Sequence, residues 1–163
     1  MDILTLPSQI AAVIATSSLD NDDFAEAIRD SSDNLDKIVV EITETITPQI
    51  DCTKCGNCCK SLMVNVTDEE ANRVSKALDM SRNSFDEKYL EKGFELMIMN
   101  KMPCHFLEDN ACTIYPHRFS GCHEFPALHL PNFKKRIFTT MMHYDRCPII
   151  FNVVEQLKLR LIG

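Results

Sequence analysis

The sequence predicts an α+β fold, small and irregular, with an N-terminal helical arm and a C-terminal helix. Three observations carry this expectation. Before Pro48 the apolar residues recur at helical steps and no cysteine occurs. All eight cysteines follow it, in a region of short apolar runs broken by turn residues. The chain then closes on an amphipathic stretch that begins at Pro148. A length of 163 residues suits one domain with an appendage, so the arm is placed at residues 1–48 and the cysteine-rich domain at 49–163.

Taken in order, residues 8–18 form a short apolar segment with helical character. Asp20 to Asp23 make an acidic break suited to a helix N-cap. Phe24, Ala27, Ile28, Leu35, Ile38, Val39, Ile42 and Ile46 then recur at three- and four-residue steps. That is a helical stripe, weakened near Ser31 and Ser32 and ended by Pro48. A sticky stripe on a cysteine-free arm predicts packing on the domain, on a protein partner or in a homodimer. Residues 62–66 alternate as a strand. Thr67 with Glu70 spells a capping box for a helix to Leu78, and Ser84 with Glu87 repeats it for a helix ending at Gly93. Residues 94–99 read as a strand. Residues 104–107 and 111–115 read as a hairpin turned by Asp109 and Asn110. Residues 136–142 read as a further strand, and Pro148 starts the last helix. Met63, Met97, Met99, Met102, Met141 and Met142 are read as gap-filling core.

The chemistry concentrates between Cys52 and Cys59, where the chain reads C-T-K-C-G-N-C-C. This is C-x2-C-x2-C followed at once by a fourth cysteine. An x2 spacer lets successive sulfurs converge on one metal while intervening N–H groups donate to sulfur. Gly56 sits where such a wrap takes a left-handed residue. Cys104, Cys112, Cys122 and Cys147 complete the set. Thiolate is soft and suits zinc, copper(I) or iron–sulfur clusters. Eight sulfurs divide into two sets of four. Zinc sites usually pair two knuckles across a long spacer, whereas three cysteines in series at x2, with a remote Cys-Pro, follow ferredoxin-type runs. Cys147-Pro148 supplies that dipeptide. The spacing therefore favours an iron–sulfur cluster (4Fe–4S), with zinc as the alternative. It also suggests a partition: Cys52, Cys55 and Cys58 with Cys147, and Cys59 with Cys104, Cys112 and Cys122. His105 and His123 each follow a cysteine but are read as donors to sulfur or as core. His117, His129 and His143 are weaker candidates still. Among Lys54, Lys60, Arg118 and Arg146, Arg118 is singled out to offset thiolate charge, because it falls between Cys112 and Cys122.

Other classes fit poorly. A net charge of −7 argues against nucleic acid as a partner, and the cluster Lys134, Lys135 and Arg136 reads as a solvated edge. No run of eighteen apolar residues suggests a membrane span, and the acidic start with Pro7 does not resemble a signal peptide. A cytoplasmic location is expected, where dense cysteine means metal or redox chemistry rather than disulfides. The radical-cluster spacing C-x3-C-x2-C does not occur, nor does G-x-G-x-x-G, and no nucleophile signature stands out.

The set C-T-K-C-G-N-C-C, then C-H-F-L-E-D-N-A-C-T-I-Y-P-H-R, then C-H-E-F-P, then C-P resembles the YkgJ-like cysteine-cluster family over about residues 50–150. The resemblance implies a CxxCxxCC domain that chelates zinc or iron. Flagellin N-methylase carries the same domain, which adds a protein lysine methyltransferase as a third reading. The shared domain alone does not carry that activity onto this chain. His105, Phe119 and His123 stand where members usually have Pro, Pro and Arg, while every cysteine of the pattern is in place. The expected function is a metal-binding protein using its eight cysteines for iron–sulfur chemistry. It would act in electron transfer or as the cluster unit of a protein-modifying system. A zinc-stabilised, non-catalytic interaction module is the alternative.

Overall fold

The helical stripe of the N-terminal part folds as predicted in kind, but as two helices. In the computed structural model, which describes residues 2–16, 21–32, 34–94 and 96–161, α1 spans Pro7–Thr16, α2 Asn21–Asp30 and α3 Leu35–Ile46. Ser17, Ser18 and Asp20 lie outside the described residues. The break between α2 and α3 falls at the weak point near Ser31, where Asn34 caps α3 by accepting from the Lys37 N–H. A short 3-10 turn, Thr47–Gln49, holds Pro48 just past the end of α3. Helix dominates and the sheets are small, as an α+β reading requires.

The chain forms two compact units, Met1–Cys55 with Pro126–Gly163, and Gly56–Phe125. The expected boundary after residue 48 falls inside the first of them. That unit adds α4 (Cys52–Cys55), α9 (Phe133–Met141) and α10 (Pro148–Leu161) to the three N-terminal helices. Here α3 packs along α10, and both α2 and α3 pack on α9. Val39, Ile42 and Ile46 of α3 are buried, as are Ile150, Val153, Val154 and Leu157 of α10. Each such side chain contributes about 1.5–3 kcal/mol relative to exposure, so the stripe is held mainly by packing within its own unit. Asn152 is fully buried on α10. Its amide accepts from the Leu4 N–H at 3.0 Å and donates to the Leu4 and Pro148 carbonyls at 2.7 and 2.6 Å. This ties the start of the chain to its last helix.

Residues 136–142 are not a strand but belong to α9. Phe133, Ile137 and Thr140 are buried at steps of four and three, so the period is helical. Asn132, at φ 61°, gives α9 no side-chain cap. Asp36 does so instead, accepting from the Asn132 and Phe133 N–H groups at 2.8 Å each. Those two bonds hold its carboxyl below the usual range. In the basic cluster, Lys134 donates to the Ser31 carbonyl, and Arg136 donates to the carbonyls of Ala127, Leu130 and Pro131.

The second unit carries α5 (Asn57–Ser61), α6 (Asp68–Ala77), α7 (Arg82–Tyr89) and α8 (Ser120–Glu124). A three-stranded antiparallel sheet runs in the order β1 (Asn65–Val66), β3 (Met97–Met99), β2 (Leu90–Lys92). Val66 pairs with Met97, and Leu90 pairs with Met99. The strand read over 94–99 is thus shorter than expected, and its Glu95 lies outside the described residues. The predicted hairpin is present as β4 (Leu107–Glu108) and β5 (Ala111–Cys112). Asp109 and Asn110 both take positive φ, as a tight two-residue turn demands. Val66, Val74, Phe85, Met99, Phe106, Ile114 and Phe119 form the core of this unit.

The capping box of Thr67 and Glu70 forms as read. The second box does not. Ser81, not Ser84, caps α7, and the helix ends at Tyr89 rather than Gly93. The methionines divide as well. Met99 is buried, while Met63, Met102 and Met142 are exposed and do not fill the core.

Candidate metal centre

The cysteine run builds its geometry from Gly56 outward. Gly56 adopts φ 58°, the left-handed conformation expected there, and starts α5, which carries Cys58 and Cys59. A Cβ at this position would meet the Cα, Cβ and O of Asn110 at 3.1 Å. The loop therefore lies directly on the turn of the hairpin that carries Cys112. The Cys104 N–H donates to the Cys59 carbonyl at 2.8 Å, which fixes a second segment beside α5. Cys122 comes from α8, whose first N–H, at Ser120, donates to the Glu70 carboxylate at 2.6 Å. Cys104, Cys112 and Cys122 all pack against the core of the second unit.

Five thiols of this unit thus come within electrostatic reach of one another. The sulfurs of Cys58 and Cys59 stand 4.0 Å apart and share a hydrogen bond. Chiefly through that bond, and despite partial burial, the Cys58 thiol is lowered to about 6, with the charge of Arg118 assisting. Cys59 is pushed far up by the same bond, by burial, and by the negative charge of Cys58, Cys104 and Cys112. Burial raises Cys104, and the charges of Cys112 and Cys58 add to it. Burial, then Cys104, Cys112 and Cys58, push Cys122 up to about 11. One thiolate among these sulfurs disfavours the next, because like charges repel. The donor chemistry fits: free, soft sulfurs are what zinc and iron take. Among the described residues, no group of three or more His, Cys, Asp or Glu side chains is already arranged to hold a metal ion.

Spacing assigns Cys58 with Cys52, Cys55 and Cys147, and Cys59 with Cys104, Cys112 and Cys122; Cys58 and Cys59 share the short helix α5. Cys52 and Cys55 lie on α4 in the first unit, exposed and half-buried respectively. Cys147 is buried there, immediately before α10. None of the eight cysteines is in a disulfide.

His105 is engaged elsewhere: its Nε2 is hydrogen-bonded to Asn100 Oδ1 at 2.7 Å and its ring meets Tyr89 edge-on at 5.0 Å. His123 is exposed. The residue that sequence reasoning missed is Glu70, which besides capping its own helix also holds the start of α8 and hence Cys122. Its only sequence signal was the capping box, and that explains one of its two partners.

A helical scaffold that gathers free thiols from a knuckle loop, a hairpin and a short helix defines a cysteine-rich chelating domain. Residues 51–148, more than half of the chain, match the family model described as "CxxCxxCC: Putative zinc- or iron-chelating domain". The chain belongs to this family, and the resemblance read from its motifs is borne out. No curated protein and no solved structure shows significant similarity to the chain. No helix among the described residues is long and apolar enough to cross a membrane.

Proposed function

We propose that the protein holds iron as an iron–sulfur cluster and acts in electron transfer or as the cluster unit of a protein-modifying system. What supports this reading is the C-x2-C-x2-C run, with Cys58 and Cys59 on α5, the Cys104 N–H bonded to the Cys59 carbonyl, and Cys112 and Cys122 in the same unit. Cys52, Cys55 and Cys147 complete the ligand complement, an assignment that rests on spacing alone. Bound iron would supply one-electron redox chemistry. The chain supplies the soft donors, the half-buried surroundings that slow solvent access, and the fixed loop that presents them.

Zinc is the second reading, favoured by one feature. Cys59, Cys104, Cys112 and Cys122 come from separate segments of a small unit, as in closed four-cysteine sites that stabilise a fold. Anaerobic purification with iron, sulfide and zinc analysis, together with an absorption spectrum, separates the two. The proposal expects a brown protein with iron and sulfide in like amounts. A colourless protein with stoichiometric zinc refutes it in favour of the second reading.

A further inference from the structure

The face of the first unit that α2 and α9 share keeps large apolar side chains in water. Phe138 is 76% exposed and Met142, one turn further on, is 53% exposed. With Met141 and Ala25 they line a groove of about 550 Å³ between the two helices. This is a different side of α2 from its buried stripe: Phe24 and Ile28 are fully buried, while Ala25, Glu26 and Arg29 line the groove. An aromatic ring held in water forgoes the stabilisation of burial, and an apolar patch rimmed by polar groups marks a docking surface. The two helices run antiparallel. Lys134, at the start of α9, donates to the Ser31 carbonyl just past α2 at 3.1 Å. At the other end Lys158 reaches Asn21, the first residue of α2, at 2.7 Å and Tyr144, just beyond α9, at 3.5 Å. Charge therefore separates along the groove. Asp23 and Glu26 stand toward one end, and Arg29, Lys134 and Lys135 toward the other, with Asp30 beside them. Beyond α9, Asp145 and Arg146 offset each other at 3.5 Å. Among the described residues Glu26, Arg29 and Lys135 have no ion-pair partner.

A groove that is acidic at one end and basic at the other is complementary to itself once reversed. We propose that a second copy of this chain docks on it, forming a two-fold dimer whose axis crosses α2 between Glu26 and Arg29 and passes beside Phe138. The two faces then meet with their helices antiparallel, acidic end against basic end. Phe138 of each copy packs at the centre, and Glu26 of one copy opposes Arg29 of the other, twice per dimer. An isologous contact repeats every favourable pair in this way. Aromatic and methionine side chains at the centre with charges at the rim are the usual anatomy of such interfaces. An axis along the groove would instead set acid against acid and base against base, which costs affinity. The dimer is independent of the metal reading, because both helices belong to the first unit and neither carries a cysteine.

Sedimentation equilibrium of the full-length chain, kept reduced so that no intermolecular disulfide forms, tests this. The parent chain should be a dimer at about 100 μM and should weaken as salt screens the rim charges. Phe138→Ser should raise the dissociation constant at least about tenfold, as loss of a central aromatic does. Phe138 is exposed in the single chain, so the circular dichroism of this variant should match the parent. Arg29→Glu sets acid against acid at two symmetry-related positions and should weaken the dimer roughly fivefold. Adding Glu26→Arg to it restores opposite charges and should bring the affinity back to within about twofold of the parent. A parent chain that is monomeric at that concentration overturns the proposal and leaves the face to a different protein. A dimer unmoved by Phe138→Ser overturns it by placing the contact elsewhere. A double variant no tighter than Arg29→Glu overturns the antiparallel arrangement on which the proposal stands.

Discussion

Replacing Glu70 probes how the second unit holds its cysteines. One carboxylate there joins two segments far apart in sequence. Oε2 accepts from the Thr67 N–H at 2.9 Å, closing the capping box of α6, and Oε1 accepts from the Ser120 N–H at 2.6 Å, at the start of the helix that carries Cys122. Glu70 is 8% exposed, so water replaces neither bond cheaply. In Glu70→Ala the loss of the cap costs about 1 kcal/mol. The unmade bond between a part-buried N–H and a charged oxygen costs about 1.5–3 kcal/mol more. The sum is about 2.5–4 kcal/mol, a large share of the stability of a small domain. Glu70→Gln keeps one acceptor oxygen and should cost about half as much. Urea denaturation of the metal-free chain, followed by circular dichroism at neutral pH, measures both.

The pH dependence of the same residue has a definite sign. Burial pushes the Glu70 carboxyl up, but the N–H donors of Ser120 and Thr67 outweigh it and hold it below the ordinary range. The stabilisation is therefore complete above the unfolded value of about 4.3 and is lost as pH falls through the lower folded value. Glu70→Gln should flatten that part of the acid limb. An alanine variant within about 0.5 kcal/mol of the parent chain, a change typical of neutral surface sites, would refute the reasoning.

Two further substitutions test other parts of the account. Gly56→Ala places a side chain at φ 58° and 3.1 Å from Asn110, so it should destabilise the second unit by about 1–2 kcal/mol from the backbone alone, while Gly56→Asn is milder; a more stable alanine variant in the same urea assay contradicts this. Asn152→Leu strands the Leu4 N–H and the Leu4 carbonyl, which both bond to the buried amide. It should cost about 1–3 kcal/mol and make the first residues sensitive to limited proteolysis, whereas an unchanged digestion pattern counts against the tie.

Local chemistry was the legible part of this chain. Thr67 and Glu70 name their own helix start, Asp109 and Asn110 their own turn, and Pro148 its own helix, because each signal sits within four residues of its effect. Two features misled. Ser84 with Glu87 reads as the cap, yet Ser81 starts α7, its side chain accepting from the Ser84 N–H. Thr139 and Thr140 look like strand residues, yet Asp36, about a hundred positions away in sequence, caps the helix that contains them. The candidate ligands were visible as residue types. The close approach of Gly56 to the hairpin turn and the reach of Glu70 to α8 were not, because both arise from packing between segments distant in sequence.

The most direct test of the central claim is X-ray absorption at the edge of the metal carried by protein purified without oxygen, iron or zinc as analysis finds it. Thiolate ligation predicts a first shell dominated by sulfur at about 2.3 Å, and replacement of Cys59, Cys104, Cys112 or Cys122 by serine should reduce its amplitude. A first shell of nitrogen and oxygen at about 2.0–2.1 Å, or protein that binds no metal at all, would contradict it.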